Sequence, residues 1–125
     1  MKADPCCVFV YGTLLPGEPR WPILEPLAAK GAHRPAVVPG VLYDTGLGYP
    51  CADFTGEGHV PGLIVAFADG MTDRALQILD RVEGTDYSLY ERVLVTSVEG
   101  ETAWSYSWMG DHSAFTRIDR WLSRQ

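Results

Sequence analysis

Long hydrophobic runs are absent from this chain. The apolar stretch Cys6-Cys7-Val8-Phe9-Val10 gives way to Tyr11-Gly12, far short of the roughly 20 apolar residues that a membrane-spanning helix needs. Met1 and Lys2 are followed by Ala3-Asp4-Pro5 and then only that segment, so neither a signal peptide nor a membrane span is expected. Basic residues are few and dispersed: 10 Lys and Arg stand against 16 Asp and Glu, the formal net charge is −6, and no Lys or Arg run occurs. That balance argues against nucleic-acid binding. Cysteine is scarce too. Cys6, Cys7 and Cys51, two of them adjacent, make neither a disulfide framework nor a zinc pattern and read as reduced thiols of a cytoplasmic protein. His33, His59 and His112 are too scattered for a metal site, and no cofactor is expected. Repeats, low-complexity tracts and linkers are missing as well. The 125 residues, 46% of them hydrophobic, are therefore expected to form one domain, 1–125, with its own core and small-molecule partners.

What is present begins with a strand that delivers a loop. Val8, Phe9 and Val10 have the β-branched and aromatic character of a buried strand, and Gly12 then permits a sharp turn or a close backbone approach that a Cβ would hinder. Successive N–H groups in Tyr11-Gly12-Thr13-Leu14 can converge on a carboxylate or a developing oxyanion, with the Thr13 hydroxyl as a further donor. The plainer reading is that Gly12 only turns the chain and Tyr11 only packs.

A second feature lies further along, where Ala75, Leu76, Ile78, Leu79 and Val82 form an apolar stripe at helical spacing. The spacing predicts a helix from about Thr72 to Val82, with Thr72 or Asp73 able to cap its start and Gly84 placed to end it. Glu83 then sits at the helix C-terminus, where the dipole is negative. Partial burial there would favour the protonated form and raise its pKa toward the range of a general acid/base. The plainer alternative is an exposed glutamate. Asp80 and Asp86 are rivals for the acid role, and Asp80 can equally raise the Glu83 pKa by like-charge proximity or pair with Arg81 or Arg92. A thiol nucleophile, Cys7 or Cys51 with a histidine as base, is the weaker reading, because thiols in apolar segments usually pack as small core residues.

Tyr11-Gly12-Thr13-Leu14, Leu79-Asp80-Arg81-Val82-Glu83-Gly84 and Tyr90-Glu91-Arg92 before Val93-Leu94-Val95, in that order, resemble the gamma-glutamylcyclotransferase-like family, in particular its small gamma-glutamylamine cyclotransferase type. The resemblance implies a closed or nearly closed β-barrel with helices beside it and a pocket at its mouth. It also implies a reaction: the α-amine of a γ-glutamyl group attacks its own side-chain amide carbonyl, forming 5-oxoproline and releasing an amine, with no water or cofactor. Glu83 would move the protons, the backbone of Gly12, Thr13 and Leu14 would hold the glutamyl α-carboxylate, and Tyr11 and Tyr90 would supply walls or hydroxyl contacts. Relatives carry Gly-x-x-Asn or Gly-x-x-His after the loop, whereas this chain has Arg20 and Trp21. Arg20 suits a carboxylate-bearing leaving group; Trp21 suits an apolar one or the core. Gly46-Leu47-Gly48-Tyr49-Pro50 reads as a mobile lip with Tyr49 in the pocket, or as a plain turn between strands. Arg92 suits a structural role as well as substrate contact. The alternative from another class is a noncatalytic module binding a γ-glutamyl-like ligand or a protein partner, and the chain is expected as monomer or homodimer.

A coarse pass predicts strands at Cys6–Tyr11, Arg34–Tyr43, Tyr49–Phe54, His59–Phe67, Tyr90–Val98 and Ala103–Trp108. Pro22 and Pro26 limit the Arg20–Lys30 segment to short helical pieces. Pro61-Gly62 suggests a bulged strand rather than a regular central one, and Glu99-Gly100-Glu101 a hairpin turn. Asp111-His112-Ser113 reads as the start of a C-terminal helix with Phe115, Ile118, Trp121 and Leu122 on one side. The fold class is α+β, a mainly antiparallel sheet curling toward a small β-barrel with flanking helices.

Overall fold

The computed structural model describes residues 5–54, 57–83 and 90–121. In chain order it forms β1 (Cys7–Val10), a short helix α1 (Trp21–Leu24) continued by one 3-10 turn (Glu25–Leu27), β2 (Ala28–Pro39), β3 (Val41–Asp44) and β4 (Pro50–Asp53). Then follow β5 (His59–Phe67), α2 (Thr72–Glu83), β6 (Tyr90–Thr96), β7 (Thr102–Trp108) and β8 (Thr116–Ile118). Among these residues no helix is long and apolar enough to cross a membrane.

β1 is apolar throughout because both its faces are covered. It lies at the centre of a five-stranded sheet of order β2-β5-β1-β7-β6, antiparallel to β5 and parallel to β7. Val8 and Val10 join a cluster with Val65 and Phe67 of β5 and with Ala75, Leu76 and Leu79 of α2. Phe9 points the other way, into a cluster with Ile64 of β5, Leu42 of β3 and Ala52 of β4. A strand buried on both sides reads as a continuous apolar run rather than an alternating one. β7 alternates instead: Trp104, Tyr106 and Trp108 belong to the α2 side, while Ser105 and Ser107 turn away. The buried Ser105 hydroxyl donates to the Phe9 carbonyl at 2.9 Å, so the parallel junction carries no unsatisfied hydroxyl.

The second sheet has the order β4-β3-β8. The single strand expected over Arg34–Tyr43 is split at Gly40, where φ is +155° and a Cβ would meet the Asp53 carbonyl oxygen at 2.9 Å. That break lets β3 leave the first sheet and found the second. β5 is a central strand after all: Pro61 and Gly62 pair only with β2, beyond the end of β1, which engages β5 from Leu63 onward. The register shift lies in β2, between Ala28 and His33.

Two larger expectations fail as well. The barrel does not close. The outer strands of the large sheet approach at one end, where the Val98 N–H donates to the Val37 carbonyl at 2.9 Å and Arg34 pairs with Glu101. These contacts come from the turn after β6, and among the described residues no ladder joins β6 to β2, as closure would require. Among the described residues the C-terminal helix is also absent. Asp111 instead accepts from the N–H and hydroxyl of Ser113, at 2.9 and 3.1 Å, and Thr116–Ile118 pairs antiparallel with Asp44–Leu42 of β3. The edge of β3 offers unpaired backbone donors and acceptors, and satisfying them outweighs the helical spacing of Phe115, Ile118 and Trp121. Those side chains are partly buried all the same, Phe115 edge-on to Trp108 and Trp121 donating to Glu18 at 2.8 Å. Leu122 lies outside the described residues.

Candidate functional site

Where β1 ends, the chain turns against the start of β4. The Leu15 N–H donates to the Gly12 carbonyl at 3.0 Å, and the Arg20 N–H reaches back to the Thr13 carbonyl at 2.8 Å, closing the loop into a fixed shape. A Cβ on Gly12 would lie 2.5 Å from Pro50 Cγ and 2.8 Å from Pro50 Cδ. Glycine is required here by space, so the close approach is the operative reason. No described carbonyl accepts from the N–H groups of Gly12, Thr13 or Leu14.

The loop borders a cavity of about 280 Å³, and all the expected site residues line it: Tyr11, Gly12, Thr13, Leu14, Tyr49, Glu83 and Tyr90. α2 delivers Arg81, Val82 and Glu83 to the cavity with its last turn: Glu83 stands one turn beyond Leu79 on the face that buries Ala75, Leu76 and Leu79 in the core, and at the helix end that face borders the cavity. Glu83 keeps only 14% of its side chain exposed. Burial pushes its carboxyl from the ordinary 4.5 up to about 7, against the opposing pull of Arg20. The C-terminal position on the helix acts in the same direction. Like-charge repulsion from Asp80 is not the cause. Gly84 and Asp86 lie outside the described residues, and α2 starts at Thr72 with Asp73 in its first turn.

Asp80 faces elsewhere. It accepts from the Tyr106 hydroxyl at 2.7 Å and pairs with Arg92 Nε at 3.4 Å, and the Arg92 guanidinium lies 4.8 Å above the Trp104 ring. Arg92 thus ties α2 to the sheet and does not border the cavity. Arg20 does border it: its Nη1 donates to the Val82 carbonyl at 3.3 Å and stands 3.7 Å from Glu83 Oε2. Trp21 packs on the core and edges His33.

The tyrosines are anchored. Tyr11 donates to the Tyr106 carbonyl at 2.7 Å and Tyr90 to the Pro50 carbonyl at 2.9 Å. Burial raises the pKa of both well above the ordinary phenol value, so they remain neutral walls. Tyr49 ends the hairpin between β3 and β4, whose glycines Gly46 and Gly48 take φ of +80° and +94°. Its carbonyl accepts from the Thr45 hydroxyl at 2.7 Å, so the loop serves as a strand connection while its last residue lines the cavity. The thiols are elsewhere: burial pushes Cys51 up to about 12, Cys7 donates to the Thr102 carbonyl, and His112 pairs with Asp53 at 3.1 Å.

Sequence reasoning missed Pro50 and Tyr106. Pro50 touches Gly12 and accepts from Tyr90; Tyr106 accepts from Tyr11 and donates to Asp80, and both line the cavity. The signal available for Tyr106 was its place in the Trp104, Tyr106, Trp108 alternation; for Pro50 it was only its place at the end of the Gly46–Pro50 segment, beside Tyr49.

No curated protein matches the chain significantly. Among solved structures, a solution structure of an Arabidopsis thaliana protein is 32% identical, with 90% of this chain and 70% of that one covered and a TM-score of 0.63. An AIG2-like protein from Mus musculus is 19% identical, covering 96% and 90%, with a TM-score of 0.64. An uncharacterized Pyrococcus horikoshii protein is 21% identical, covering 90% and 85%, also at 0.64. The last two show a shared fold alone. The family model described as gamma-glutamyl cyclotransferase, AIG2-like, matches residues 8–122, nearly the whole chain. On the extent of that match, the chain belongs to the gamma-glutamyl cyclotransferase, AIG2-like family.

Proposed function

We propose that the chain is a γ-glutamyl cyclotransferase that cleaves a γ-glutamyl amide by internal attack, releasing 5-oxoproline and a free amine. The observation that carries this reading is a largely buried Glu83, with its pKa raised to about 7, in one cavity with the Gly12 to Leu14 loop. Nucleophile and electrophile belong to one molecule, so the protein has only to fold the substrate into attack geometry and move protons. The Glu83 carboxylate takes a proton from the α-ammonium. The freed amine adds to the γ-carbonyl carbon, the bond to the leaving nitrogen breaks as Glu83 returns that proton to it, and the ring nitrogen gives up its second proton through the same carboxylate, so that the released amine departs as an ammonium ion. A carboxyl poised near 7 can serve in both directions at neutral pH. The loop amides hold the α-carboxylate, and the phenol rings of Tyr11, Tyr49 and Tyr90 wall the chain of the substrate. The substrates are small molecules in the cytoplasm, and the chain acts as monomer or homodimer without a cofactor.

The test is 5-oxoproline release from a panel of γ-glutamyl amines and dipeptides by the wild type and Glu83→Gln. The expected result is turnover with an apparent pKa near 7 in kcat/KM, lowered by about 10²- to 10⁴-fold in Glu83→Gln, the usual contribution of a general acid/base. Equal rates for the two proteins would remove Glu83 from the mechanism. Binding of panel members without release by either protein would favour a noncatalytic ligand-binding module.

A further inference from the structure

Arg20 puts a second anion-binding element in the cavity, separate from the loop. Its backbone N–H is fixed to Thr13, and its guanidinium is held at the end of α2 by the Val82 carbonyl, at 3.3 Å. About 41% of its side chain is exposed, so the group faces water as well as Glu83. The 3.7 Å separation from Glu83 Oε2 exceeds a charge-assisted hydrogen bond, and of the five donors of a guanidinium one is engaged by the Val82 carbonyl. The pocket therefore has two places for a carboxylate: the amides of residues 12–14 and the Arg20 fork.

We propose that Arg20 recognises a carboxylate on the leaving amine, so that the favoured substrates are γ-glutamyl amino acids or peptides rather than simple γ-glutamyl amines. This rests on the cyclotransferase reading. In that reaction the departing nitrogen must come to Glu83 to receive its proton. In an amino acid the carboxylate is attached to the carbon next to that nitrogen, which brings it beside whatever stands next to Glu83. Arg20 is the neighbour within ion-pair distance among the described residues. The glutamyl α-carboxylate sits at the other end of the substrate chain and is served by the loop.

The test compares γ-glutamylalanine with γ-glutamylethylamine, whose leaving amines differ only by the carboxylate. Wild type, Arg20→Ala and Arg20→Lys are assayed for kcat/KM on both, and dissociation constants for both are measured in Glu83→Gln and Glu83→Gln/Arg20→Ala. Taking the ratio between substrates cancels any effect that Arg20 exerts on Glu83 itself, because both substrates share it. The wild type should prefer γ-glutamylalanine, Arg20→Ala should shrink that preference by about ten- to a hundredfold, and Arg20→Lys should keep part of it. An unchanged ratio, with both rates reduced, would overturn the proposal and give Arg20 to the glutamyl end or to the fold. An Arg20-dependent preference in binding with no turnover by any protein would support the Arg20 assignment and overturn the catalytic reading. No detectable binding of either compound would overturn both.

Discussion

Glu83 should make the fold less stable as the pH rises, and replacing it should remove that dependence. In the folded protein the carboxyl titrates at about 7 against an ordinary 4.5, a difference of about 2.5 units. Below the ordinary value both folded and unfolded chains hold the proton, and the group contributes nothing. Between 4.5 and about 7 the unfolded chain has lost the proton while the folded one retains it, so the native state binds more protons and stability falls with rising pH. Above about 7 the full cost applies. At 1.36 kcal/mol per unit the shift corresponds to about 3 kcal/mol, with only a small discount for a side chain 14% exposed. Glu83→Gln keeps the shape of the side chain and loses the titration. The advantage of Glu83→Gln over wild type in urea unfolding, followed by tryptophan fluorescence, should therefore grow by about 3 kcal/mol between the ordinary and the shifted value. Other titrating groups are common to both proteins and cancel. A difference that stays flat across that window, or grows toward acid, would refute the burial of an unfavourable charge at this position.

Gly12→Ala should displace Pro50, because the new Cβ would overlap its ring at 2.5 Å; overpacking of this kind costs about 1–3 kcal/mol, read by urea unfolding, and should cut 5-oxoproline release more than stability alone explains. Tyr90→Phe should leave the Pro50 carbonyl without its buried donor, lowering the unfolding free energy by about 1–3 kcal/mol while leaving the Glu83 titration in kcat/KM in place.

Local patterns were legible where one short-range constraint ruled. The α2 stripe marked both the helix and the direction of Glu83, since Glu83 follows Leu79 by one turn and the face that is core at Ala75, Leu76 and Leu79 becomes cavity wall at the helix end. The all-apolar β1 marked a strand covered on both faces, and Gly100 marked the β6–β7 turn. The failures come from pairing between distant segments. Phe115, Ile118 and Trp121 carry a helical spacing, yet a free edge on β3, more than 70 residues earlier in the chain, takes Thr116–Ile118 as a strand. Barrel closure depends on whether β6 runs far enough to meet β2, and no local pattern encodes that distance. The contact of Pro50 with Gly12 is likewise a product of two sheets meeting.

Asp80 and Glu83 show how two carboxylates on one helix come to differ. Both are carboxylates on α2, three residues apart, and both lie near the same sheet. Asp80 receives the Tyr106 hydroxyl and the Arg92 guanidinium, contacts that stabilise a negative charge and pin the last turn of the helix to β6 and β7. Glu83, anchored by that pin, is carried into an enclosed space where its charged neighbour among the described residues is Arg20 at 3.7 Å. A charge so poorly compensated has a weak hold on its ionised form, which is what the proposed two-way proton transfer requires. On the proposed reading the two carboxylates have different tasks: Asp80 positions the helix end, and Glu83 uses the position.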